Sequence, residues 1–128
     1  MILLIDAGNS IITIGLHNGR NIERTFTLET KKIRTKDEFA LFLISLLELN
    51  KLDIESIDGA SIASVVPSIN NALKEALEAY FKITPVIIEP GIKTGIKLKV
   101  DNPKEVGADL IADALAGHVK YRNKLLII

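Results

Sequence analysis

The order of apolar and polar positions predicts three strands at the start of the chain. Residues 1–5 form a continuous apolar run, which favours a strand covered on both faces. Residues 11–16 and 21–28 predict two more strands. Asn18 and Gly19 lie between them and favour a type I′ hairpin turn, because both residue types accept positive φ angles. The chain is therefore expected to open with an antiparallel meander.

After residue 30 the pattern changes to alternating helices and strands. Thr35 and Glu38 have the spacing of a capping box, which predicts that the run at 39–49 is a helix. The later elements are predicted, in chain order, as a strand at 59–66, a helix at 69–80 capped by Ser68, a strand at 85–88, a helix reaching residue 121 and a strand at 124–128.

This order, β-β-β-α-β-α-β-α-β, defines the expected fold class. Strands connected through a helix join a sheet in parallel, so the meander and the later strands give a mixed, five-stranded α/β sheet of the ribonuclease-H-like kind. We interpret residues 1–101 as one such domain and residues 102–128 as the first helix and strand of a second, similar domain. The bare apolar end suggests a truncation inside a larger fold. A genuine C-terminal edge or swapped strand is the alternative.

Composition narrows the classes of function. The 128 residues are 48% hydrophobic, which is enough for a core, and their formal net charge is zero. A neutral chain argues against binding nucleic acid or a membrane surface through bulk charge. The chain has no cysteine and two distant histidines, which argues against thiolate and His-rich metal sites. No apolar run approaches the ~20 residues that span a bilayer, so we expect a cytoplasmic protein.

Residues 6–10, Asp-Ala-Gly-Asn-Ser, are the first candidate for chemistry. Gly8 permits the close approach of an anion, and Asn9 and Ser10 add hydrogen-bond donors. Asp6 cannot bind phosphate directly, since both are anionic, but it can do so through Mg²⁺ or ordered water. The alternative is a hairpin turn in which Asp6 caps backbone amides.

The last predicted helix carries the second candidate. Asn102 is a suitable cap for it, although Gly107 could delay its start to Ala108. Asp109 and Asp113 are one turn apart and share a face, while the opposite, apolar arc is expected to be buried. A carboxylate lining a cleft can accept a hydroxyl proton during phosphoryl transfer. The alternative is a solvated acidic face.

Four segments, in this order, together resemble the type III pantothenate kinases of the actin, Hsp70 and hexokinase superfamily. They are Asp6-x-Gly8-Asn9-Ser10, Ser64-Val65-Val66-Pro67, Thr94-Gly95, and Asp-Asn-Pro-x-x-Val-Gly-Ala-Asp at 101–109. The resemblance covers the whole chain. It implies ATP-dependent phosphorylation of pantothenate to 4′-phosphopantothenate, the first step of coenzyme A synthesis. It also implies a homodimer that needs Mg²⁺ and a monovalent cation, K⁺ or NH₄⁺.

On the nucleotide side, the resemblance places Asp6, Gly8, Asn9 and Ser10 in the first phosphate-binding motif. Asp6 would serve Mg²⁺, through water. Ser10 stands where Thr is commoner in the family, and the hydroxyl is retained.

On the substrate side, the resemblance makes Asp109 the proposed general base and places Gly107 and Ala108 beside pantothenate. Two positions depart from the family. Val100, at a substrate-side position, stands where Tyr is frequent, and Leu110 stands where many members have an Arg that pairs with the pantothenate carboxylate. Losing such a partner could cost about 2–5 kcal/mol of binding. A kinase for another small hydroxyl substrate is therefore an alternative.

The chain end is the third departure. In the family a second phosphate motif, of the Asp-Phe-Gly-Thr-Ala-Thr type, directly follows the strand that corresponds to residues 125–128. We therefore expect this chain alone to lack kinase activity. A non-catalytic, transcription-activating homologue is a second hypothesis, which Val100 and Leu110 favour. The retained Asp6 and Asp109 oppose it. A cytoskeletal or chaperone-like ATPase is a third hypothesis, which the Asp-Asn-Pro segment does not fit.

Overall fold

The structure, a computed structural model, describes residues 1–121 and 124–127. Its strands are β1 Ile2–Ala7, β2 Ile11–His17, β3 Ile22–Glu29, β4 Gly59–Ser64 and β5 Val86–Ile88. Its helices are α1 Lys36–Leu49, α2 Pro67–Ala76 and α3 Ala108–Tyr121. A π-helical turn at Leu77–Phe81 continues α2, and single 3₁₀ turns lie at Ile54–Ser56 and Pro103–Glu105.

All five strands form one mixed sheet in the order β3-β2-β1-β4-β5. β2 pairs antiparallel with β1 and with β3, whereas β4 pairs parallel with β1 and with β5. The predicted α/β class and the ribonuclease-H-like mixed sheet are confirmed. The parallel register sets Ala7 opposite Ser64, so β1 and β4 end at the same edge of the sheet.

One face of the sheet is packed against α1 and α2. Alternate residues of β1 point to that face, and Leu3, Ile5 and Ala7 are buried there. The same core takes in Phe39, Leu43 and Leu47 of α1 and Ile69 and Leu73 of α2.

The other face of β1 is only partly covered. Ile2 is 38% exposed, and Leu4 is half-buried. The prediction that β1 is covered on both faces is therefore wrong for the described residues. An apolar run shows that a strand is central, but it does not say whether a second layer lies on both sides.

Local capping signals are confirmed at one helix and wrong at another. At α1 the Thr35 hydroxyl accepts from the Glu38 N–H at 3.2 Å, and Glu38 Oε2 accepts from the Thr35 N–H at 2.8 Å. Ser68 is not the cap of α2, because the helix begins one residue earlier, at Pro67. Proline suits the first helical position, since its missing N–H is not needed there.

The turn between β2 and β3 differs from the predicted type I′ hairpin. Gly19 has a positive φ of 93°, whereas Asn18 does not. Asn18 instead accepts with its side-chain oxygen from the N–H groups of Arg20 and Asn21, both at 2.9 Å. The Asn18 side chain therefore stabilises a longer connection in place of the tight turn.

The last helix begins at Ala108, the later of the two predicted starts, and Asn102 only precedes the 3₁₀ turn. α3 packs against β4 and β5. Its apolar arc is only partly buried, since Ala108 and Ile111 are buried whereas Leu110 and Val119 are exposed. Residues 124–127 do not form the predicted strand, and Ile128 lies outside the described residues. The division at residue 101 stays a prediction.

No helix within residues 1–121 and 124–127 is both long enough and apolar enough to cross a membrane.

Candidate phosphoryl-transfer site

Three segments singled out in the sequence meet where β1 and β4 end. The Val65 N–H, just after β4, donates to the Ala7 carbonyl at 3.0 Å. Val65 also lies beside Gly107, where a Cβ would stand 3.7 Å from Val65 Cγ1. The turn after β4 therefore lies between the Gly8 turn and the start of α3.

Asp6 is exposed and lies inside β1, opposite Thr13 on β2 and Ala63 on β4. Partial burial raises the pKa of its carboxyl group, and the carboxylates of Asp109 and Asp113 raise that pKa further. Asp6 and Ala112 of α3 line the same cavity, so the fold brings α3 beside β1. The two acidic candidates, 103 residues apart in sequence, thus lie on neighbouring elements.

The Gly8 turn is compact. The Gly8 N–H donates to the Ile11 carbonyl at 3.0 Å, and a Cβ at Gly8 would stand 3.2 Å from that same oxygen. A side chain at this position would be tight, because the Ile11 carbonyl would have to move by a few tenths of an ångström. Because the Gly8 N–H is used within the hairpin, the amides of the exposed Asn9 and Ser10 are the ones that could meet a phosphate.

Asp109 lies in the first turn of α3, where the helix dipole favours a negative charge. Its Oδ1 accepts from the Leu110 N–H at 2.9 Å. That oxygen occupies the space in which a Cβ at Gly107 would stand. Gly107 therefore has a local role, since it lets the Asp109 carboxylate fold back over the helix start. The expected approach of substrate to Gly107 stays a prediction.

Within the described part of the chain, a metal ion would find few protein ligands here. Among the described residues no group of three His, Cys, Asp or Glu side chains is arranged to hold a metal. Mg²⁺, however, commonly uses one or two carboxylates, with water and substrate phosphates completing its shell. The mutual repulsion of Asp6 with Asp109 and Asp113 is of the kind that a divalent cation would relieve.

An open trough of about 280 Å³ runs along the partly covered face of the sheet, next to this site. Its lining is mostly apolar and includes Leu4, Asp6, Thr13, Ala63 and Ala112. Asp6 is the acidic group of this lining, so the trough opens beside the candidate site.

The other residues predicted for the site lie at its edge or outside it. The side chain of Ala108 is only 5% exposed, and Val100 lies in the long connection before α3. Thr94 and Gly95 line a separate cavity of about 340 Å³ that Ile111 of α3 also borders. The structure thus brings together Asp6, the Gly8 turn and Asp109, while the assignment of Ala108 and Val100 to substrate stays a prediction.

Sequence reasoning missed one residue of the site, Thr30. Its hydroxyl donates to the Gly8 carbonyl at 2.8 Å, and its N–H donates to the Ser10 carbonyl at 2.9 Å. Thr30 follows β3 and carries no recognisable motif. Only the pairing of β3 with β2 brings it to the turn.

Carboxylates, a glycine turn and a helix start near the end of two parallel strands are features that phosphoryl-transfer sites use. Comparison with known proteins identifies the protein family. The sequence model of the type III pantothenate kinase family matches residues 2–128. The chain belongs to this family.

A curated relative shows how much of such a protein is present. The chain is 44% identical over 128 residues to a type III pantothenate kinase of Agathobacter rectalis. The match covers all of this chain and 49% of the relative, so the chain spans about half of that protein's length.

A solved structure from Listeria monocytogenes, described as a proposed N-acetylmannosamine kinase, is similar over 70% of this chain and 35% of its own, at 19% identity and a TM-score of 0.41.

Proposed function

We propose that this chain is the N-terminal half of a kinase that transfers the terminal phosphoryl group of ATP to the hydroxyl group of pantothenate, forming 4′-phosphopantothenate. Family membership supports the reaction. The observation that carries it to particular residues is that Asp6 on β1 lines the same trough as Ala112 of α3, the helix whose first turn carries Asp109.

Asp109 is the proposed general base. The Leu110 N–H holds Oδ1, which fixes the orientation of the carboxylate and leaves Oδ2 to accept the proton of the pantothenate hydroxyl. The hydroxyl oxygen then attacks the terminal phosphorus of ATP, and ADP leaves. Most of the catalytic effect in such reactions comes from positioning and from stabilising charge.

Asp6 is the proposed residue for Mg²⁺, which it would hold through water while Asn9 and Ser10 contact phosphate oxygens. When bound, Mg²⁺ neutralises phosphate charge. The exposure of Asp6, Asn9 and Ser10 supports their access to nucleotide. We extend the proposal, on the family resemblance, to a monovalent cation, a homodimeric full-length protein and a cytoplasmic location.

A second substrate deserves a parallel test because of the two departures near the site. Leu110, beside the proposed base, is 58% exposed, and Val100 is 51% exposed. Exposed apolar side chains cannot pair with a carboxylate, so a small hydroxyl compound without a carboxylate is the second candidate substrate.

The experiment uses the full-length protein with ATP, Mg²⁺ and K⁺, and measures 4′-phosphopantothenate by mass spectrometry. Formation of that product is expected. Pantothenyl alcohol, which lacks the carboxylate, is the matched alternative substrate. If the alcohol alone is phosphorylated, the reaction class holds and the substrate is corrected. If neither is phosphorylated, the proposed function is wrong.

A second measurement uses residues 1–128 alone under the same conditions. We expect no product, because the resemblance implies a second phosphate-binding motif beyond them. Product formation by this chain would show that the first motif suffices.

A further inference from the structure

We propose that Thr30 is a positioning residue for the nucleotide, acting through the Gly8 turn. The inference rests on the proposed function, because it needs residues 8–10 to bind phosphate. Thr30 lies on the β3 side of the turn, and its two hydrogen bonds go to the backbone carbonyls of Gly8 and Ser10. It therefore acts on the nucleotide only through the orientation of the turn.

The first step is the direction of one peptide group. The Gly8 carbonyl accepts from the Thr30 hydroxyl at 2.8 Å, so this carbonyl is turned towards β3. The described chain has no cis peptide bond, and in a planar trans peptide the following N–H points the opposite way. The Asn9 N–H consequently points away from Thr30, and Asn9 is exposed.

The second step is that Thr30 holds both ends of the turn. Its N–H donates to the Ser10 carbonyl at 2.9 Å, two residues beyond the carbonyl that its hydroxyl holds. The backbone bond survives any substitution other than proline, so the turn stays attached to β3. The hydroxyl bond is the contact that restrains the Gly8 carbonyl.

The third step is what a rotation would cost. An amide bound to phosphate must already point at it, since reorienting it on binding consumes part of the binding free energy. A hydrogen bond of this type contributes about 0.5–1.5 kcal/mol, which corresponds to roughly a two- to twelvefold change in affinity.

The test uses Thr30→Val in the full-length protein, because valine keeps the shape of threonine and removes the donor. We expect the KM for ATP to rise by about two- to twelvefold, with the KM for pantothenate unchanged. Thr30→Ser keeps a hydroxyl and should restore the parent KM for ATP. Thr27→Val is the control, because Thr27 is exposed on the same strand and lies outside the turn.

The outcomes separate this inference from the proposed function. A parent protein without kinase activity would overturn the proposed function, and binding of ATP measured by calorimetry would then still compare the same variants. An unchanged KM and Kd for ATP in Thr30→Val would overturn the role of Thr30. So would a loss of kcat with both KM values unchanged, since that pattern indicates a smaller folded fraction. If Thr30→Val does not fold, Thr30→Ala removes the same donor.

Discussion

The two faces of the central sheet are built from the same strands, but one is packed against helices and the other borders an open trough. On one face Leu3, Ile5 and Ala7 of β1 lie under α1 and α2 and are at most 2% exposed. On the other face Leu4 and Asp6 border an open trough beside α3. The strand alternates between the faces at every residue, so Asp6 stands between two buried neighbours.

This difference shows how the fold can expose a charged group without losing its core. The packed face fixes the position of β1 through apolar burial. The open face then receives a carboxylate whose backbone is held rigidly on both sides, by β2 and by β4. A functional group on a central strand is more accurately placed than one on a loop.

The largest effect that we expect on the open face is the loss of turnover in Asp109→Asn of the full-length protein. The amide cannot accept the hydroxyl proton, so kcat should fall by about 10²–10⁴-fold, while the circular dichroism spectrum stays that of the parent. Asp53→Asn, on an exposed residue without a side-chain cap bond, is the control. Unchanged turnover would remove Asp109 as the base.

Truncation of two adjacent leucines of β1 tests whether the two faces differ in burial. Leu3→Ala on the packed face should lower the free energy of unfolding by about 2–5 kcal/mol. Leu4→Ala on the open face should cost roughly half as much, because Leu4 is half-buried. Urea denaturation measures both. Equal costs would show that the full-length protein buries the two faces alike.

A smaller effect is expected from Gly107→Ala, in which a Cβ would take the place of the Asp109 carboxylate oxygen. The displaced carboxylate should lower kcat by roughly 10- to 100-fold. Gly59→Ala is the matched control, since a Cβ there meets no atom within 4 Å. A kcat equal in both variants would show that the carboxylate position is not critical.

The smallest effect is a change in proton affinity on the open face. The pKa of Asp6 should lie above that of an ordinary Asp, and Asp109→Asn should lower it without restoring the ordinary value, because burial is the larger cause. A carbon-detected NMR titration of the Asp6 carboxyl measures both.

The raised pKa of Asp6 also makes the free energy of unfolding depend on pH in a defined direction. The folded state binds the proton more tightly than the unfolded state, so this contribution to stability is present at low pH and is lost as the pH rises through the raised pKa. Asp6→Asn should remove that part of the pH dependence of unfolding. If the stability of the parent relative to Asp6→Asn instead increased with pH over this range, the assignment would be contradicted.

Features that depend on residues close together in the sequence could be predicted. The capping box of α1 depends on residues three apart, and the mixed sheet follows from alternating elements, so both needed only the sequence. Pairing of residues distant in the chain was accessible only through the family resemblance, which grouped Asp6 with Asp109. Thr30 is the counterexample, because a lone Thr after a strand carries no signal.

The sequence by itself determined the element types up to α3, the mixed sheet and the chemistry of the candidate carboxylates, because hydrophobic period and residue type are local properties. The tertiary structure decided which groups meet. The parallel register of β1 with β4 carries Val65 to the Ala7 carbonyl, and the pairing of β2 with β3 carries Thr30 to Gly8. These contacts depend on strand register, which is fixed only when the whole sheet packs against α1 and α2.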